Sequence, residues 1–191
     1  NTTDANGVAT FIVTSTNVEI VQYKAVADGV EIVDDNVTYL PGAVDPILST
    51  IEANETNASA GSNVTVTVTL RDEHGNLIPN KSVTILDNAT GSVITNTTVT
   101  TDASGVATFT VTTTNAEVVR YTATAQSVDI EDENVTYQIL GIDPDQSTIV
   151  ADKNVASADG NDTVTLTVTL KDKLGTLLPG KTVKIFQDGG S

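Results

Sequence analysis

Residues 64–85 read VTVTVTLRDEHGNLIPNKSVTI, and the first seven of them decide the fold. In Val64-Thr65-Val66-Thr67-Val68-Thr69-Leu70, apolar and hydroxyl side chains alternate with period two. Successive side chains of a strand point to opposite faces, so Val and Leu meet a core and Thr meets water. The run stops at Asp72-Glu73-His74-Gly75-Asn76, residues that favour a tight turn. The same alternation returns in Ala107–Thr112 and in Val119, Tyr121, Ala123 and Ala125, with Asp102-Ala103-Ser104-Gly105 as another turn signal. Short alternating strands between turns predict an all-β fold, an antiparallel two-sheet sandwich of the immunoglobulin-like kind. Thr is the commonest residue and aromatics make only 4% of the chain, so helix should be almost absent.

Outward from that stretch, the chain repeats itself. VTLTVTLKDKLGTLLPGKTVKI from Val164 restates it at an offset of 100 residues. TDANGVATFIVTSTN from Thr3 returns as TDASGVATFTVTTTN from Thr101, and NVTYLPGAVDP from Asn36 as NVTYQILGIDP from Asn134, both offset by 98. The period is one immunoglobulin-sized domain. Its phase divides the 191 residues into the C-terminal half of one domain (1–45), a complete domain (46–143) and the N-terminal half of another (144–191). Gly190 and Ser191 align with Gly91 and Ser92, and Asn1 aligns with Val99, so the broken halves complement each other. Two readings stay open: a window on a longer array, or halves of successive chains that complete one another head to tail into a filament. Either half alone would expose a sheet edge and an open apolar face.

VTVTLRDEHGNLIPNKSVTI, followed by TTDASGVATFTVTTT and RYTATA, resembles the bacterial immunoglobulin-like domain of the invasin and intimin type. In that family a strand runs into a D-x-x-G-N-x-(V/I)-P-(G/N)-K turn, and a later T-D-x-x-G-x-A opens the second half. The likeness covers the whole chain. It implies a disulfide-free sandwich used as a rigid repeating spacer in tandem on the cell surface, holding an adhesive tip away from the cell. It implies no catalytic residues. This chain departs from the family in its acidity and in the acidic stretch before NVTY.

Nine basic residues against 25 acidic ones give a formal charge of −16, which repels phosphate backbones and anionic lipid. No nucleic acid and no membrane contact by this segment are expected. Cys is absent, which excludes disulfides and thiolate metal sites. Without an initiator Met, a leader or a long apolar run, the stretch reads as a mature or excised segment, soluble by itself.

Asn-x-Ser/Thr triplets occur ten times, at Asn1, Asn36, Asn54, Asn57, Asn63, Asn80, Asn88, Asn96, Asn134 and Asn161, although the chain has only 15 Asn. Chance gives about three or four at this Ser and Thr content. Asn57, Asn80 and Asn88 fall in expected turns or loops, where a glycan could face water. The plainer alternative is that Asn favours turns and Thr the strands that follow. A second group is acidic: Glu31, Asp34, Asp35 and Asp45 correspond to Asp129, Asp132, Glu133 and Asp143, with Asp145 beside them. Lying between the late strands and the domain junction, Asp34, Asp35, Asp45, Asp132, Glu133 and Asp143 could hold Ca²⁺ if six to eight oxygens converged. The competing reading is a solvated acidic face that blunts edge strands. No other cofactor is expected.

Pro46 and Pro144, each after Asp, keep the connections short and should limit domain rotation. Lys81 and Lys181 stand in exposed turns, whereas an intramolecular isopeptide bond needs a buried Lys beside a carboxyl. His74 is the only His, and Leu174 aligns with it in the next copy, so no catalytic constellation can be assembled and no enzyme is expected. The expected function is a structural repeat of an extracellular stalk, filament or adhesin shaft, a semi-rigid spacer whose partners are neighbouring copies of the repeat, head to tail. The alternative is an adhesive module that recognises a receptor or glycan through its sandwich-end loops; scarce aromatics count against it.

Overall fold

The computed structural model describes residues 1–187, with the side chains of Val33 and Asp34 outside the description. Gly190 and Ser191, aligned above with Gly91 and Ser92, lie outside the described residues. Thirteen strands and no helix make up the described regular structure. β1 (Glu19–Ala27) and β2 (Val30–Tyr39) form an isolated antiparallel hairpin. Nine strands then build one sandwich. β3 (Thr50–Ala53), β5 (Val64–Thr69), β9 (Val106–Thr113) and β7 (Ser92–Ile94) form a sheet in the order β3-β5-β9-β7. Against it lies a five-stranded sheet ordered β4-β11-β10-β6-β8. Its strands are β4 (Asn57–Ser59), β6 (Ser82–Asp87), β8 (Thr98–Thr100), β10 (Val118–Ala125) and β11 (Val128–Gln138). β12 (Thr148–Ala151) and β13 (Leu166–Thr169) pair antiparallel beyond it.

The alternation of the opening stretch becomes a core. Val64, Val66, Val68 and Leu70 are fully buried, and Val66 stands opposite Phe109 on β9. From the other sheet come Val83, Ile85, Val119, Tyr121, Ala123, Val135 and Tyr137. The Tyr121 and Tyr137 hydroxyls meet at 3.2 Å inside the sandwich. One pairing departs from the antiparallel expectation, since β4 runs parallel to β11. The chain leaves β3 in the first sheet, turns through residues 54–56, and joins the edge of the second sheet without reversing direction. Parallel pairing with β11 is the result.

One turn locks the strands. Asp102 Oδ1 accepts from the Ser104 and Val106 amides, 2.8 and 3.0 Å away. Gly105 has φ of +70°, and a Cβ there would sit 2.9 Å from the Ile78 nitrogen and 3.0 Å from the Leu70 carbonyl oxygen. Glycine is required both for the left-handed backbone and for the space. The D-x-x-G element of the sequence is thus the point where the two hairpin ends touch.

The flanking copies keep the local geometry of the complete one. Asp4 Oδ1 accepts from Asn6 and Val8 as Asp102 does from its turn. The β1/β2 hairpin carries its register shift between Tyr23 and Ala25, the counterpart of that between Tyr121 and Ala123. Burial differs, however. Phe109 is 2% exposed and its counterpart Phe11 66%, while Val66 is wholly buried and Leu166 is 46% exposed. The described halves lack the sheet that would cover them.

Candidate functional site

The structure concentrates its unusual polar chemistry where one copy meets the next. The Asp72 turn lies at the end of the sandwich that faces residues 1–45. Its carboxylate is 2% exposed. Oδ1 accepts from the His74 amide (3.0 Å) and the Asn76 amide (2.9 Å), which closes the turn. Oδ2 accepts from the Asn76 side-chain amide (2.9 Å) and from the backbone N–H of Gly42 (2.9 Å), in the connection from the preceding copy. Asn76 Nδ2 also reaches the Thr16 carbonyl at 2.8 Å. Burial pushes the Asp72 carboxyl up, but these donors prevail and hold it down at about 2.

The connection itself is tied to the same turn. The Asp45 amide donates to the Arg71 carbonyl (2.8 Å), and Ser49 Oγ bonds both the Arg71 carbonyl and amide. Asp45 Oδ1 accepts from Ile47 and Leu48, so Pro46 sits inside a capped turn. Val44 is buried with the core of the following sandwich. Arg71 completes the arrangement by donating to the Gly75 carbonyl at 2.8 Å.

The second junction repeats the scheme. The Asp143 amide donates to the Lys171 carbonyl, Asp143 Oδ1 accepts from Asp145 and Gln146, and Ser147 brackets Lys171 as Ser49 does Arg71. Asp172 is completely buried. Its Oδ1 accepts from Leu174 and Thr176, while Oδ2 takes the hydroxyl of Ser59, at the far end of the complete sandwich. Burial raises the Asp172 carboxyl, yet the Ser59 hydroxyl and the turn amides bring it below the ordinary Asp range. A crevice of about 390 Å³ opens here between Ser59, Gly61, Thr114, Leu140, Asp172 and Pro179. A smaller one, about 210 Å³, lies at the first junction between Thr16, Leu40, Gly42, Asp72 and His74.

Of the acidic residues singled out in the sequence, Asp45, Asp143 and Asp145 belong to these junctions, and Asp45 and Asp143 each spend an oxygen on two amides of their own turn. Asp132 lies 2.7 Å from Arg120, and Glu31 3.0 Å from Lys24. Asp35 and Glu133 stand on β2 and β11 opposite Tyr23 and Tyr121. The Asp34 side chain lies outside the described residues. Among the described residues, no three His, Asp or Glu side chains gather as a metal site would require.

All ten sequon asparagines are exposed. Asn57, expected in a loop, instead opens β4. Lys81 is half-buried in its turn, and its backbone amide donates to the Thr101 hydroxyl at 3.0 Å. The sequence marks Asp72 as a turn former only; the signal for a second role is an acid kept as Asp172 in the next copy while Glu73, His74 and Asn76 become Lys173, Leu174 and Thr176.

Residues 48–139 match the bacterial Ig-like domain (group 1), and residues 143–191 match domain 3 of invasin. No curated protein matches the chain. Among solved structures, the Escherichia coli adhesin FdeC is 23% identical with a TM-score of 0.56, covering 84% of this chain and 52% of its own. Invasin, a bacterial integrin-binding protein, is 23% identical with a TM-score of 0.50, over 94% of this chain and 37% of its own. Yersinia pseudotuberculosis InvD is 17% identical with a TM-score of 0.53, over 84% and 52%. At these identities the likeness is one of fold, and the chain spans about half or less of each of those proteins.

Proposed function

We propose that this chain, built of bacterial Ig-like domains of the invasin and intimin type, is a semi-rigid spacer in the shaft of a cell-surface adhesin, outside the cell. The observation that carries the reading is the buried junction carboxylate. Asp72 and Asp172 each close their own turn and bond the neighbouring unit with the remaining oxygen. A hydrogen bond to a buried charge is worth about 1.5–3 kcal/mol, and breaking one leaves a desolvated carboxylate. Bending the joint would therefore cost more than bending an ordinary linker. The immediate partners are the neighbouring copies, and the role is mechanical rather than catalytic.

Recognition through sandwich-end loops is the competing reading. At the complete domain one end, around Asp72, faces the preceding unit, and the other, around Ser59, faces the following one. Loops occupied in this way favour spacing over recognition.

The chain has no Cys, so two can be introduced for spin labels at exposed strand positions, Gln22→Cys and Thr108→Cys. A narrow distance distribution that broadens in the Asp72→Ala background is the expected result. A distribution already as broad as that of a flexible linker would remove the spacer reading.

A further inference from the structure

We infer that seven of the sequon asparagines are acceptors of N-linked oligosaccharide: Asn36, Asn54, Asn63, Asn80, Asn88, Asn96 and Asn134. The sequon excess raises the question, and side-chain geometry answers it residue by residue. Asn54 Oδ1 accepts from the Thr65 amide at 2.7 Å, and Asn88 Oδ1 from the Arg120 amide at 2.8 Å. Because those donors are backbone N–H groups, the oxygen must be the inner end and Nδ2 the outer one. The other five donate no side-chain hydrogen bond among the described residues. Asn36 and Asn134 occupy the same place on β2 and β11, Asn80 sits in a turn with φ of +59°, and Asn63 and Asn96 lie between strands.

Asparagines outside sequons behave differently. Nδ2 of Asn6 donates to Asp4, that of Asn76 to Thr16 and Asp72, and that of Asn115 to Thr90. Three of these five are thus spent on holding turns and junctions. If sequons arose only because Asn makes turns, their amides should be spent in the same way. Asn1 and Asn161 do donate, to Thr10 and Asp159, and are left out for that reason.

Asn57 is excluded by its hydroxyl. Its sequon ends in Ser59, which is buried and bonded to Asp172, whereas none of the other nine sequon hydroxyl residues is buried. Folding and junction formation hide what a transferase must read.

In the modification, Nδ2 forms a bond to the anomeric carbon of a sugar carried on a lipid phosphate or pyrophosphate. The bond from that carbon to the phosphate oxygen breaks, the lipid phosphate leaves with the electron pair, and one Nδ2 proton goes to solvent. Six glycans on the complete sandwich and one on the β1/β2 hairpin would add hydrated bulk to a chain that is already acidic, a property that the spacer role neither requires nor implies.

The test is peptide mapping by mass spectrometry of protein isolated from the cells that make it. Hexose-sized increments on the seven are expected, with Asn57 and the non-sequon residues Asn6, Asn17, Asn76, Asn115 and Asn154 unmodified. Unmodified masses at all seven overturn the proposal, as does equal modification of Asn57 or of the non-sequon set. Thr56→Ala should abolish the increment on Asn54 and Thr56→Ser should keep it. Survival in Thr56→Ala would show that attachment is not directed by the sequon.

Discussion

Asp72 carries a charge where water is nearly absent, and its protonation is coupled to the joint. An unfolded Asp titrates near 3.9, and the folded carboxyl near 2. The ionised form is therefore favoured by folding: its contribution, about 2–3 kcal/mol, is full above pH ~4 and disappears as pH falls through ~2. Asp72→Asn should lower the urea midpoint at pH 6, and the gap from the unsubstituted chain should close between pH 4 and 2. A gap independent of pH would mean that the carboxylate charge plays no part. Gly105 offers a second residue-scale test. Gly105→Ala places a methyl group against two backbone atoms at positive φ, and an unfolding measurement should show a loss of about 2–4 kcal/mol. The need for Gly105 is legible in T-D-x-x-G-x-A, because turns with positive φ select glycine. Asp72 was not legible, because a turn-forming Asp looks the same whether water or a neighbouring domain stands behind it.

Strands tell the same story through burial. Phe11 and Phe109 occupy equivalent places in two copies, yet only Phe109 is packed against Val66 and its neighbours. Phe109→Ala should destabilise the complete sandwich by about 3–5 kcal/mol. Phe11→Ala should change its stability by less than about 0.5 kcal/mol, since an exposed ring in this chain leaves no cavity. Equal losses in calorimetry would show that residues 1–45 are covered in solution. At this scale β5, β9 and β10 were readable from alternation alone, since one wet and one dry face leave a period-two mark. The parallel seat of β4 beside β11 was not, because three residues carry too little pattern to name a partner, and the partner is 79 residues further on at Thr136.

Across the whole molecule, stability should be uneven. Hydrogen exchange should be slowest in β5, β9 and β10, which lie inside the sandwich, and orders of magnitude faster in β1 and β2, whose hairpin has neither a further strand nor a covering sheet among the described residues. Uniform protection would contradict this arrangement. The repeat period was legible because the copies restate their motifs at offsets near 100 residues; the joints were not, because they arise only when two copies are in contact. Asp72 takes the N–H of Gly42 and Asn76 takes the C=O of Thr16, so the following copy grips its predecessor by main-chain atoms that every residue but proline supplies in full. Such a grip is blind to the predecessor's side chains. The copy ahead of such a joint can then be exchanged in frame with no compensating substitution at Asp72 or Asn76, whereas the second joint, which takes the Ser59 hydroxyl, does depend on a side chain of its predecessor.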